Sequence, residues 1–566
     1  MTFETFIPAR SKSVLELIGE APENFESSRK NFQEIQPDCK YIVAEDWTKV
    51  KGLFDAILVQ SAVIGTLSPK KLVVSIKKIA EHLNDNGTLI FTLDNIGHAE
   101  NISAILEGKP PKFRVTITGE ELNNAIEDAG LTVLRSLNAG RGIQVKRQIA
   151  DLTKTELAVF VFIFTAYKSE PPKKTLIQTL IGESTVCAPI RVHMPNTFFM
   201  ANPNVFVVSS PVGKPYRLFE QEQFDERVFI NQRMCFPTFA VGLDFFNVLR
   251  KKGILFISEM DDHPILWEDD YEKTAWINFR AVHAIQTSTN YLADFLRQFN
   301  PYVKVFANHL RRLPPPRNFE EEFKGKRQVT IFFGALNRDG DFMELVPILN
   351  RFAKQYGNKL AFKILARANL FDALETDNKT YVGDPKTYDG QFISYEDYEA
   401  AIRDSDIALL PLRDNEFNRS KSDLKFIESA ANGAVALASP VVYSSVIQDG
   451  KTGFIYRDGR EFVNKLNLLI KNKNLRRKVA EEAYSYVRHE RLMSQHYEER
   501  LDWYRELLAN LPKLTAEAGA RIAKFIPQFN EEIAQFRSRF SRNPKERSFE
   551  IERNLTQGAE IIIPEQ

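Results

Sequence analysis

Hydrophobic and polar positions follow the same pattern three times along this chain. In residues 11–150, apolar runs at Val14 to Ile18, Tyr41 to Ala44, Asp55 to Val59 and Thr88 to Leu93 read as strands. Pro69 to Leu83 and Gly119 to Ala129 read as helices, the second ended by Gly130. Leu157 to Tyr167 reads as the last strand of this block, and Glu170-Pro-Pro-Lys-Lys as a linker. The second block, about 175–310, has candidate strands at Val186 to Val192, Val205 to Ser209, Val228 to Ile230, Ile254 to Ile257, Ala284 to Thr287 and Val303 to Phe306. Phe239 to Lys251 and Thr289 to Phe299 are helical between them. After a second linker containing Leu-Pro-Pro-Pro, the third block runs through Val329 to Phe333, Ala361 to Leu365, Ile407 to Leu412, Ala434 to Ala438 and Phe454-Ile-Tyr. Helices dominate from Arg460 to Asn510, and apolar spacing continues to about Phe540. Repeated strand–helix alternation predicts three open, largely parallel α/β sheets followed by a helical C-terminal tail.

Composition narrows the function. At 566 residues the chain exceeds one core and suggests roughly three or four units. Its 75 basic and 74 acidic residues leave +1, so nothing global points to nucleic acid. Three scattered cysteines and eight histidines show no metal-ligand spacing, so no metal site is expected; the sparse thiols fit a reducing cytoplasm. The start, Met-Thr-Phe-Glu-Thr-Phe, lacks the regions of a signal peptide. The most apolar stretch, Leu157 to Ala166, is about half the length needed to cross a bilayer.

The densest candidate chemistry is Asn418-Arg-Ser-Lys-Ser-Asp-Leu-Lys-Phe-Ile-Glu428-Ser-Ala-Ala-Asn-Gly433, between two apolar strands of the third block. Lys421, Lys425 and Glu428 are spaced to share one helical face beside a basic, hydroxylated N-terminus that includes Ser422. Two cations and a carboxylate there can hold a diphosphate and a ribose. A solvated charged face has the same spacing. The segment Gly334-Ala-Leu-Asn-Arg-Asp-Gly340 follows the block's first strand. Gly334 would let backbone amides approach an anion, and Arg338 can pair with phosphate oxygens. Loops at the carboxyl ends of a parallel sheet converge on one crevice, which would bring the two segments together.

In the second block, the strand Ile254-Leu-Phe-Ile-Ser-Glu-Met delivers Asp261, Asp262 and His263 to its carboxyl end. One carboxylate could bind an acceptor hydroxyl or act as a base; equally, Asp261 or Asp262 could cap the next helix. His193, in Arg191-Val-His193-Met-Pro195, reads as a packed turn residue rather than a catalytic base, since no partner is visible to tune it, and Thr287-Ser288-Thr289 reads as an N-cap.

Together these segments resemble a GT-B glycosyltransferase, in particular the retaining family 4 type of bacterial polysaccharide assembly. The resemblance covers roughly 180–505 and is most specific over 418–455. It implies a GT-B pair of Rossmann-like domains. An acceptor domain would span 175–310 and a nucleotide-sugar donor domain 329–490. A crossover helix and tail would occupy 491–566, with Trp503 and Tyr504 packing on the acceptor domain. It implies that Arg338 and Lys425 hold the diphosphate and stabilise the leaving group, with Gly334, Lys421 and Ser422 beside them. Glu428 would hold ribose hydroxyls, and Asp261 or Asp262 would face the acceptor. Many members carry a further Glu eight residues before that carboxylate; here the position is Ser420. Such enzymes usually need no metal.

Residues 1–168 resemble a degenerate class I S-adenosylmethionine methyltransferase domain through Ser13-Val-Leu-Glu-Leu-Ile-Gly19, Phe54-Asp-Ala-Ile-Leu, Leu83-Asn-Asp-Asn-Gly-Thr-Leu-Ile and Asp94-Asn95. Gly19 is followed by Glu-Ala-Pro-Glu rather than further glycines, and only 35 positions separate Gly19 from Phe54. The strand whose acidic end would bind the cofactor ribose is taken as missing. These departures argue against S-adenosylmethionine binding; the domain would position an acceptor or a partner instead. The expected partners are a nucleotide-sugar donor and a saccharide, lipid-linked or protein acceptor. Competing readings are a methyltransferase whose second half only binds sugar nucleotides, and a non-catalytic scaffold. A basic run, Arg537 to Arg547 with Phe536 and Phe540 interleaved, raises peripheral contact with the inner face of a membrane against a plain solvated helix end.

Overall fold

The computed structural model describes residues 6–19, 26–94, 115–139, 161–167, 173–182, 187–211, 224–322, 328–334, 339–365, 368–383 and 393–541. Three six-stranded sheets follow one another along the chain. The first contains β1 (Ser13–Leu17), β2 (Lys40–Ala44), β3 (Phe54–Val59), β4 (Leu83–Asp94), β5 (Thr132–Ala139) and β6 (Val161–Tyr167), in the order β2-β1-β3-β4-β6-β5. All its pairings are parallel except those of β6, which runs antiparallel to β4 and β5.

The second sheet contains β7 (Thr175–Ile181), β8 (Val205–Pro211), β9 (Glu226–Gln232), β10 (Leu255–Met260), β11 (Ala284–Thr287) and β12 (Val303–Val305). The third contains β13 (Val329–Gly334), β14 (Leu360–Leu365), β15 (Lys379–Val382), β16 (Ile407–Leu410), β17 (Val435–Ala438) and β18 (Phe454–Ile455). Both are wholly parallel. Their orders are β12-β11-β10-β9-β7-β8 and β15-β14-β13-β16-β17-β18. Each order reverses once, between β7 and β9 and between β13 and β16. Ligands bind outside the carboxyl ends of strands at such switch points. The architecture is α/β: two wholly parallel, Rossmann-like domains follow an N-terminal Rossmann-like domain.

Central strands such as β10 and β13 are buried at every position. A parallel sheet covered on both faces demands such near-continuous apolar runs, which is why their sequences lack polar alternation. One face of the second sheet packs against Tyr497, Leu501, Trp503, Tyr504 and Leu507 of the Tyr497–Ala509 helix. The opposite face, with Phe239, Phe246 and Phe256, is joined by Ala518, Ile522 and Ile533 of the tail. Phe529 stacks on Phe239 at 4.2 Å, and Glu532 accepts from the Ala240 amide. The tail helices, Leu511–Ala523 and Asn530–Ser541, therefore cover the second domain.

The chain crosses between the last two domains twice. Leu310 and Leu492 form a β-bridge, with Leu310 N–H donating to Arg491 O and Met493 N–H to Leu310 O, each at 2.9 Å. The N-terminal domain lies against this hinge. Its Glu26–Ile35 helix offers Glu34 O to the Leu313 amide and Ile35 O to Ser494 Oγ, and nearby Asp38 pairs with Arg488 at 2.6 Å.

Two expectations are corrected. The strand expected over Val186 to Val192 is not found among the described residues: Val186 lies outside them, residues 189–200 are helical, and the first strand of that sheet is the fully buried run Thr175–Ile181. Pro189 suits a helical start and cannot donate to a ladder. The strand taken as missing from the first domain is also present. β2 lies parallel to β1 and is followed by Glu45; the shortened element is the helix after it, reduced to a 3-10 turn over Trp47–Lys49. The edge strand β15, polar and half exposed, gave no apolar run to read.

Candidate functional site

The segment after β16 ends in the eight-residue helix Leu424–Ala431, which starts from Asp423 and stops at Gly433. Gly433 has φ +75°, and the Arg317 side chain lies where its Cβ would be, so the helix end requires glycine. Asp423 occupies the N-cap position but makes no side-chain cap. Both of its carboxylate oxygens are taken by Arg491, which also donates to Asn308 O at 2.9 Å. This ties the start of the helix to the hinge.

Lys425 and Glu428 form the expected pair, Nζ to Oε2 at 3.2 Å. Glu428 is buried, and its Oε2 also accepts from the Tyr398 hydroxyl at 2.7 Å. Lys425 Nζ donates to that hydroxyl at 2.9 Å and lies 4.2 Å above the tyrosine ring centre. Lys421 does not share this face. It precedes the helix, lies over the Phe417 ring and ion-pairs with Asp262 of the second domain. The helix is shorter than its spacing suggested because Ser420 to Asp423 is drawn into contacts at the domain boundary.

Those contacts engage every residue from Ser420 to Asp423. Thr289 Oγ1 donates to Ser420 O at 3.1 Å, Asp262 holds Lys421, Asn308 Nδ2 donates to Ser422 Oγ at 2.9 Å, and Arg491 holds Asp423. On the second domain, Arg233 follows β9 and pairs with Asp261 at 2.6 Å and Asp262 at 2.9 Å. Burial works against the guanidinium charge, but Asp261, Cys187 and Asp262 outweigh it and push its pKa up. Behind it lies the buried Arg191–Glu259 pair at 2.7 Å, from which Arg191 Nη1 reaches Phe306 O at 2.7 Å and Asn308 Oδ1 at 2.8 Å.

Neither Asp261 nor Asp262 caps the next helical turn. His263 does so, its Nδ1 accepting from the Ile265 amide at 3.2 Å. Its Nε2 lies 3.5 Å from Glu416, while burial pushes its pKa down. His193 is exposed at the end of its helical turn. Thr289 caps Asn290–Leu296 as expected. Gly334 ends β13 at the switch point. A Cβ there would meet the Phe332 ring at 2.5 Å and Leu365 at 3.1 Å, so packing alone accounts for the glycine. Arg338 lies outside the described residues. Among the described residues no cluster of three or more His, Cys, Asp or Glu side chains could hold a metal ion.

The structure thus gathers Gly334, Lys425 and Glu428 around one switch point and sets Lys421 and Ser422 against Asp262 and Asn308 across the domain boundary. Sequence reasoning missed Tyr398, Arg233, Asn308 and Arg491. Arg233 and Arg491 each follow a regular element directly, which was the only available signal.

Residues 352–505 match a family model described as glycosyl transferase-like. That segment includes Tyr398, Lys421, Lys425, Glu428 and Arg491 and excludes the first two sheets. No curated protein matches the chain. Among solved structures it is similar to a Staphylococcus aureus TarM mutant in complex with Fondaparinux, alpha-GlcNAc-glycerol and UDP, at 14% identity, with a TM-score of 0.37 and coverage of 50% of this chain. The chain spans 55% of that protein. It is also similar to Anabaena HepE in complex with UDP and glucose, at 11% identity over 59% of this chain and 100% of that one, TM-score 0.42. Sucrose-phosphate synthase from Thermosynechococcus elongatus gives 10% identity over 59% and 100%, TM-score 0.43. No described helix is long and apolar enough to cross a membrane.

Proposed function

We propose that the protein transfers a sugar from a nucleoside-diphosphate donor to a saccharide or glycoconjugate acceptor, with retention of anomeric configuration. The observation that carries this reading is the Lys425–Glu428 pair beside the switch point of a glycosyl transferase-like domain, facing a second parallel domain across a polar boundary. In this reading Glu428 accepts from ribose hydroxyls, and Lys425 with Arg338 faces the diphosphate, where their charge stabilises the departing anion. Gly334 lies beside the nucleotide. Lys421 and Ser422 would reach the donor only by exchanging Asp262 and Asn308 for it. Asp262, bound by two cations, would first act in holding the domains together; Asp261, bound by Arg233, faces the acceptor side.

Domain closure would exclude water and favour transfer over hydrolysis. The test is a nucleotide-release screen of the full chain with UDP-, GDP- and dTDP-sugars. Release dependent on Lys425 and Glu428 supports the reading; a folded protein that neither binds nor turns over any of them refutes it. The anomeric configuration of the product, read by NMR, tests retention.

For the N-terminal domain we propose a positioning role beside the hinge, without S-adenosylmethionine chemistry. Titration calorimetry with S-adenosylmethionine tests this, and micromolar binding would overturn it.

A further inference from the structure

We infer that Tyr398 is a positioning residue that aims the Glu428 carboxylate at the vicinal diol of a ribose. This rests on the nucleotide-sugar reading above and adds a residue that the sequence did not single out. Tyr398 lies on the Tyr395–Arg403 helix, in a different stretch of chain from its two partners. Its ring is buried against Phe332, Leu365, Ile402 and Ala434 beneath the carboxyl ends of β13 and β14. Packing alone would not need a hydroxyl there, yet the hydroxyl sits inside the ion pair. It gives its one proton to Glu428 Oε2 at 2.7 Å and accepts from Lys425 Nζ at 2.9 Å.

The consequence lies in the two oxygens of Glu428. Oε2 receives both Tyr398 and Lys425, whereas no hydrogen bond among the described residues reaches Oε1. A buried carboxylate with one oxygen doubly bound and the other open cannot spin between equivalent states. It presents Oε1 as a fixed acceptor, and an acceptor-only group selects ligand hydroxyls. Lys425 alone would fix it poorly, because its side chain is 35% exposed and its four-carbon stem is flexible. The tyrosine supplies the rigidity: its ring is packed, and it carries the ammonium on its face at 4.2 Å.

The experiment compares UDP, GDP and 2′,3′-dideoxy-UDP by titration calorimetry on the full chain. The wild type is expected to bind at least one of the two ribonucleotides, and UDP more tightly than its dideoxy form. Tyr398→Phe keeps the ring under Lys425 and removes only the hydroxyl. It should weaken UDP about tenfold, the worth of one hydrogen bond to a charged group, while leaving dideoxy-UDP nearly unchanged, so that the ratio collapses towards one. For a protein that binds only GDP, GDP and its dideoxy form give the same ratio. Glu428→Gln should collapse it likewise. Lys425→Ala leaves the Tyr398–Glu428 bond intact and should weaken both nucleotides alike, preserving the ratio. A wild-type ratio that survives in Tyr398→Phe overturns the inference and leaves the nucleotide-sugar reading standing. So does a ratio that collapses in Lys425→Ala, which would move the orienting role to the lysine. A wild type that binds no nucleotide, or ignores the diol, overturns the reading at Glu428 and this inference with it.

Discussion

Arg191→Met should be among the most damaging single substitutions in the second domain, and most of the damage should be reversible by a second change. Arg191 and Glu259 are both almost wholly buried and joined at 2.7 Å. Burial opposes the guanidinium charge of Arg191, and Glu259 with Asp261 outweighs it, pushing the pKa up. Methionine fills most of the volume but leaves the Glu259 carboxylate buried without its cation, which costs about 3–5 kcal/mol. It also strands Phe306 O and Asn308 Oδ1, each worth about 1 kcal/mol. For a domain of this size, 1 kcal/mol moves the thermal midpoint by about 2–4 °C, so a loss of about 5 kcal/mol corresponds to roughly 10–20 °C. Adding Glu259→Leu removes the orphaned charge and should recover more than half of that loss. Thermal unfolding of the wild type, both single variants and the double variant, followed by calorimetry, gives the coupling. A fall of less than about 2 °C in Arg191→Met, or a double variant no better than the single, would refute the view that this pair holds charge in the core.

Four further outcomes follow from particular contacts. Asp262→Asn should release Lys421 from a pair only 14–20% exposed and cost about 1–2 kcal/mol, between the values for exposed and buried pairs. Small-angle scattering should then show a larger radius of gyration, and an unchanged profile with an unchanged midpoint would show that the pair does not hold the domains together. Ending the chain at Asn510 should uncover the face filled by Ala518, Ile522 and Ile533, with a loss on the order of 5 kcal/mol read as a lower midpoint or aggregation; a cooperative, equally stable fragment would contradict this. Burial pushes His309 down to about 2 and His283 to about 4, so both stay neutral when folded and take up protons when unfolded. Stability should therefore hold above about pH 6.5 and fall below it, by about 2 kcal/mol for each at pH 5, with a smaller fall in His309→Asn; a flat profile between pH 7 and 5 would be inconsistent with this. Arg312→Ala should loosen the N-terminal domain from the hinge, because Arg312 joins Glu34 at 3.5 Å to Glu399 at 3.1 Å, and hydrogen exchange in the 310–316 segment should rise.

Complete burial did not by itself make an element legible, since Thr175–Ile181 is buried throughout and was not read as a strand. Ala284–Thr287 and Phe239–Lys251 fall where their apolar patterns end, because each is closed by a turn or capped by Thr238. Glu428 and Lys425 were legible because an i, i+3 spacing on a short helix survives into three dimensions. Lys421 was misplaced for the same reason: the spacing rule extended the helix to a residue whose partner, Asp262, is 159 positions away. Tyr398 was illegible because nothing local separates it from Tyr395; its hydroxyl matters only once β13 and β16 bring two helices together.

The sequence also suggested free donor-binding groups at Lys421 and Ser422, and the fold makes these two residues part of the domain boundary. That places the departure at Ser420 in a different light. In the resembled family a glutamate at this position would face the sugar, but here the backbone of Ser420 accepts from Thr289 and its hydroxyl donates to Phe417 O at 2.7 Å. A glutamate in this fully buried position would bring an unpaired charge within the Asp262–Lys421–Arg233 network, at a cost of several kcal/mol. Serine is therefore the residue that lets the two domains meet through the 420–423 segment. In the nucleotide-sugar reading proposed above, donor entry and domain separation would be linked: whatever drew Lys421 or Ser422 towards a diphosphate would first have to break its bond to Asp262 or Asn308.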